Sequence, residues 1–293
     1  MRGFIKYLMV FTGIAAAFLS NLNAAEASDG GGVSPYAYKL SELFGLPITN
    51  SIVTSWVFSL LIIIAFRWAV GRPKLIPGKG QAIVESLVEG IRGVVAPIVG
   101  KRMIAVTFPI LIGFFTFILI HNWSGLLPGV GSFGWLDAEG HLKYFFRPGN
   151  ADLNMTFALG LIAFAAWIFY VFRYAGVKAL ALDLFGNKSN KQEIPLSIYY
   201  MLFGIFFAVG FIEIISILFR PISLSFRLFG NVFGGENLLT SITGLTGWVI
   251  PIPFYFLEIL IGLVQALVFT ILVAVYIGLI CNHDEGGETS HAH

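Results

Sequence analysis

Apolar residues fall in long blocks along this chain, and the polar residues between them are clustered. Segments 51–70, 103–127 and 153–172 are each near or above the roughly 20 residues that carry a helix across a bilayer. Basic residues mark alternate ends of these blocks. Arg67, Arg72, Lys74 and Lys79 follow the first, and Arg173, Lys178, Lys188 and Lys191 follow the third. The positive-inside rule assigns both clusters to the cytoplasmic side. Segment 81–101 reads differently. Ile83, Leu87, Val88, Ile91, Val94 and Val95 recur near the 3.6 period, interrupted by Glu85, Glu89 and Arg92. That pattern predicts an amphipathic helix lying on the cytoplasmic surface. Segment 129–152, rich in turn signals and mixed charge, predicts an outer loop.

From 195 the pattern is ambiguous. Segment 195–244 would make one helix of roughly 75 Å, against a hydrocarbon core of about 30 Å. Two ordinary spans broken at Arg220-Pro221 fit that length, and so does one long, strongly tilted helix. The first places the chain end outside, the second inside. Hydropathy does not choose between them. Segment 251–281 predicts the last helix. No inverted repeat of the kind many secondary transporters carry is evident.

Polar residues inside the long block are the candidate chemistry. On a helix, Glu213, Ser216, Arg220, Ser223, Arg227 and Asn231 are spaced by three or four positions and share one face. Gly230 and Gly234 lie close to it. Small and hydroxyl residues alone would read as a helix–helix seam. Packing does not require a guanidinium, whose placement at bilayer depth costs at least roughly 2.5–3.5 kcal/mol. Arg227 therefore needs a carboxylate from elsewhere. Glu236, nine positions on, points to the opposite face and is no intrahelical partner. Glu258 and Gln265 share a face of the last helix and could meet Glu236 across the turn near 244–250. Carboxyl groups in low dielectric can exchange protons near neutral pH. The spacing thus implies an arginine facing an unidentified acid, and a separate carboxyl–amide cluster able to pass protons.

The chain has 293 residues, of which 57% are hydrophobic and 12% charged, with a mean hydropathy of +0.84. Soluble domains carry about 25% charged residues, so this is an all-α polytopic membrane protein. The net charge of +2 is too small to suggest nucleic-acid binding. Cys281 is the one cysteine, which excludes an internal disulfide. His121 and Asn122 read as interfacial anchors, and His283, His291 and His293 as a loose tail without metal-site geometry. No Walker-type loop occurs, and no cofactor is expected. Segment 1–27 reads as a signal sequence: Arg2 and Lys6 precede an apolar run, and Ala25-Glu26-Ala27 makes a small-x-small cleavage site. The remainder, 28–293, reads as a single membrane-embedded domain. Its start, 28–47, is expected outside, as a loop with a short interfacial helix.

At Ser-Leu-Ser-Phe-Arg-Leu-Phe-Gly-Asn, 223–231, followed by Gly235-Glu236, the chain resembles subunit a of bacterial F-type ATP synthases. Gln265-Ala266-x-x-Phe269 and Tyr276 extend the likeness, which covers about 34–280 and is strongest beyond 195. The resemblance implies a stator subunit of the Fo proton channel in the bacterial inner membrane, not an enzyme by itself. Its partners would be the c-ring, subunit b and the whole F1Fo complex. It implies that Arg227 is the essential arginine facing a c-ring carboxylate. Asn231, Glu236 and Gln265 match positions of the outer half-channel and rotor contact, and Glu213 and Ser223 match positions of the inner one. Glu258 stands where some bacterial members have histidine. The resemblance also selects one tilted helix for 195–244, with the mature N-terminus outside and the C-terminus cytoplasmic. The runner-up is a stand-alone transporter or channel using the same arginine for an anionic substrate.

Overall fold

The computed structural model describes residues 37–43, 46–127, 134–136, 142–144, 146–176, 184, 196–246 and 249–281. The expected signal sequence and the histidine tail lie outside them. Six helices of more than one turn follow one another among these residues: α1 Asn50–Val70, α2 Lys79–Val99, α3 Lys101–Ser124, α4 Leu153–Tyr170, α5 Leu196–Thr246 and α6 Ile252–Cys281. All but α2 contain a stretch long and apolar enough to cross a membrane.

Two short antiparallel hairpins accompany the helices. Strands β1 Lys39–Leu43 and β2 Leu46–Thr49 pair with Leu43 opposite Leu46. This corrects the expectation of a short interfacial helix in the part of 28–47 that is described. The hairpin is tied to the start of α1, because Asn50 N–H donates to the Tyr38 carbonyl at 3.0 Å while the Asn50 carboxamide accepts from Tyr38 N–H at 3.1 Å. Pro47, which has no N–H to give, sits on a strand that needs to pair along one side only. Strands β3 Gly134–Leu136 and β4 Leu142–Tyr144 form the second hairpin, within the predicted outer loop.

α5 is one continuous helix of 51 residues with Pro221 inside it. The single-helix reading of 195–244 is therefore the one adopted. Proline removes an intrahelical N–H and crowds the preceding turn. Here Ser225 Oγ donates to the Pro221 carbonyl at 2.7 Å, and Pro221 itself is buried against α4. α4 ends in a wider π turn, Val171–Ala175.

α3 packs along α6 and α4 along α5, with α2 docked against α3 and α6. The shared core includes Leu111, Phe114 and Ile118 of α3, Phe269, Val273 and Ile277 of α6, and Leu224 and Leu228 of α5. Val95 and Val99 of α2 are fully buried in it while Ile83 is 71% exposed, so the predicted amphipathic helix has one face on the bundle. Gly100, at φ +86°, makes the corner between α2 and α3, a backbone conformation that L side chains avoid.

Backbones approach closely at Gly160 and Gly278, among other glycines. A side chain at Gly160 would overlap the Ser225 hydroxyl and the Pro221 carbonyl, and one at Gly278 would overlap the Ile98 carbonyl. Small residues at such crossings are how membrane helices gain contact without a hydrophobic driving force. Gly160→Val is expected to cost at least about 1–3 kcal/mol by overpacking, read as a lower melting temperature of the purified protein. Gly113→Ala, where a Cβ meets nothing within 4 Å, should leave it unchanged.

Candidate functional site

α5 carries the site because its two edges differ. Ile217, Pro221, Leu224, Leu228, Val232, Gly235 and Leu239 recur at three- and four-residue spacing and form its buried seam. Ser216, Ser223, Arg227, Gly230, Asn231 and Gly234 are exposed on one side, and Glu236 lies across the seam on the other, as the nine-position offset requires. Only 17% of the apolar window of α5 is buried, against 44% in α3. A long flank of this helix is thus left bare by the described residues.

The polar stripe divides into three parts. At its start, Arg220 Nη2 donates to Glu213 Oε1 at 2.9 Å. The same guanidinium lies 4.6 Å from the Tyr276 ring centre and 5.9 Å from that of Trp167, so its charge is met by an acid and two aromatic faces. In the middle, Arg227 is exposed, and no carboxylate of the described residues lies within ion-pair distance. At the end, Asn231 Nδ2 donates to Gln265 Oε1 at 2.8 Å, joining α5 to α6. Ser223 is exposed on the same flank as Arg227.

Glu236 is paired with a residue that hydropathy does not point to. Arg147 Nη2 lies 3.6 Å from Glu236 Oε2. Arg147 precedes the 3₁₀ turn Gly149–Ala151 and is 4% exposed. Its backbone N–H donates to Thr54 Oγ1 at 3.1 Å, and its Nη2 also donates to the Ala151 carbonyl at 3.2 Å. The connection between α3 and α4 therefore folds inward at this point. The signal in the sequence is slight: a lone Arg before Pro148-Gly149, which reads as an ordinary turn. Glu258 does meet the Glu236 side of α5. Its carboxylate packs on Gly235, where any side chain would overlap it. Gln265 is 4% and Glu258 8% exposed.

His121 and Asn122 are interior residues and not interfacial anchors. His121 is wholly buried, its ring 4.1 Å from that of Phe117 and 6.1 Å from that of Phe58. Asn122 Nδ2 donates to the Gly262 carbonyl at 3.0 Å, and Asn122 Oδ1 accepts from Asn150 Nδ2 at 2.7 Å. With Trp123 Nε1 donating to the Ile259 carbonyl at 3.0 Å, these bonds stitch the end of α3 to α6 beside Glu258. Buried Ser51, His121, Arg147, Asn150, Glu236 and Gln265 each keep at least one polar atom without a hydrogen-bond partner among the described residues. Such atoms ordinarily meet ordered water.

A family model described as ATP synthase A chain matches residues 52–278. The chain belongs to the ATP synthase A chain family. It is accordingly a multi-pass membrane subunit of the Fo sector, acting in proton transport and ATP synthesis as part of the F1Fo complex with its c-ring. An A chain contributes to the channel and is not itself the catalytic subunit, which sets aside the stand-alone transporter.

Two measurements test the geometry. Asn122→Ala removes a buried donor and acceptor together and should cost about 1–3 kcal/mol, read as a lower melting temperature. The second concerns Asp152, which caps α4 by accepting from Asn154 N–H at 3.1 Å. Burial pushes its carboxyl above the ordinary value of 3.8, against the opposing pull of Asn154, Ser51 and Arg147. The folded chain then holds that proton more tightly than the unfolded one. This residue therefore costs stability as pH rises from its unfolded pKa through the raised folded value. Asp152→Asn keeps a capping oxygen and should melt no lower than the parent at neutral pH, with a shallower loss of stability on raising the pH.

Proposed function

We propose that this A chain is the stator face of two offset proton half-channels, with Arg227 as the separator between them. The observation that carries the reading is Arg227 itself: an exposed cation on the bare flank of a continuous helix, with no acid of the described residues in reach. A c-ring carboxylate would supply that acid. Coulomb attraction to Arg227 favours the ionised carboxylate, so a loaded rotor site gives up its proton before passing. An ionised carboxylate cannot turn into lipid unloaded, because the charge costs too much there.

The outer half-channel runs past Glu236 and Glu258, with Asn231 and Gln265 beside the rotor contact. The inner one opens near Glu213 and Ser223, where the Arg220 pairing holds the Glu213 carboxylate at the edge of the helix. α5 crosses the membrane once, strongly tilted, with its apolar stretch Gly204–Thr246 roughly twice the length of the hydrocarbon core. The mature N-terminus lies outside and the C-terminus in the cytoplasm, in the inner membrane of a bacterium. Segment 1–27 acts as the signal sequence of a single membrane domain, 28–293. Subunit b is a further stator partner, and the chain binds no nucleotide.

Arg227→Ala is expected to abolish proton-driven ATP synthesis in vesicles carrying the whole complex. Normal ATP-driven pumping by that variant would reject the assignment. Glu236→Gln should slow proton flux without abolishing it, because Glu258 of α6 packs on Gly235, next to Glu236.

A further inference from the structure

We propose that Arg147 is a positioning residue for the outer proton path, holding Glu236 when that carboxyl is ionised and balanced by Asp152 when Glu236 carries a proton. The proposal rests on the reading of Glu236 as a proton carrier.

Three charged groups meet here from two elements. Arg147 and Asp152 flank the 3₁₀ turn, and Glu236 comes from α5. Arg147 lies 3.6 Å from Glu236, and its charge also acts on Asp152. Two acids around one base leave a single net negative charge when both acids are ionised, and one proton cancels it. That is the charge balance of a site that loads and unloads one proton in a low-dielectric surrounding. The proton enters from outside water onto a Glu236 oxygen and leaves from it toward the rotor carboxylate.

Arg147 is held for this task by more than its ion pair. Its backbone N–H is tied to Thr54 of α1 and its guanidinium to the Ala151 carbonyl, so the group cannot follow Glu236 far. At 3.6 Å the pair is longer than a hydrogen bond, which suits a contact that must loosen on each proton transfer. Glu258, on the neighbouring side of Gly235, is the other carboxyl facing this region and has no such base beside it among the described residues.

The test is a double-mutant cycle on proton flux, in vesicles carrying the whole complex at matched assembly. Arg147→Gln should slow flux several-fold, and Arg147→Lys should restore most of it. Arg147→Gln with Glu236→Gln should be no slower than the slower single variant, because both act on one step. Multiplying losses in the double variant, or parental flux in Arg147→Gln, would overturn the proposal while leaving Glu236 in the path. Parental flux in Glu236→Gln alone would remove Glu236 from the path, and the proposal with it. Should Arg147→Gln fail to assemble, Arg147→Lys with Glu236→Asp gives the same cycle with the charges retained, and additive losses there would equally overturn it.

Discussion

A guanidinium in an apolar surrounding needs an anion, an aromatic face or water, and three arginines of this chain meet that demand in three ways. Arg220 is closed on its own helix by Glu213 and covered by Tyr276 and Trp167. Arg147 reaches across from a loop to Glu236. Arg227 is left open toward whatever lies outside the chain. The arrangement assigns each charge a side. The first two are satisfied within the bundle, and the third has no acid of the described residues in reach.

Holding those charges in place depends on how the helices are joined. α4 and α5 meet at Gly160, where the backbone of Pro221 and the Ser225 hydroxyl come close enough to exclude any side chain. α3 and α6 are stitched by Asn122 and Trp123 donating to carbonyls of α6. Trp167 Nε1 donates to the Tyr276 carbonyl at 2.8 Å, and Tyr170 Oη to the Val106 carbonyl at 3.1 Å. In lipid these directional bonds and close backbone crossings supply what the hydrophobic effect supplies in water. The result is a rigid support behind α5, whose opposite flank is bare.

The family relationship explains why a helix should be left so uncovered. An A chain belongs to a complex with a c-ring, and in the function proposed above a flank of small and polar residues around one arginine is the surface that a ring carboxylate approaches. The other edge of the same helix faces an inward-folded loop with its own buried charges.

Sequence periodicity alone determined much of this protein. The membrane-spanning blocks, the amphipathic α2, the common face of Ser216, Ser223, Arg227 and Asn231, and the opposition of Arg227 and Glu236 all follow from helical geometry and hydropathy, which are local. The same geometry prevents Glu236 from pairing with Arg227 on one helix. Tertiary structure decided the rest. Whether 195–244 is one helix or two was open to hydropathy, because Pro221 is tolerated in either case and the packing of Ser225 against Gly160 is a long-range fact. The partner of Glu236 was invisible, since Arg147 lies 89 positions earlier, beside a Pro-Gly turn that predicts a solvent loop. His121 and Asn122 read as boundary residues because their burial depends on α6 and the 3₁₀ turn closing over them. Local pattern states which face a residue occupies; only the meeting of distant segments states what that face meets.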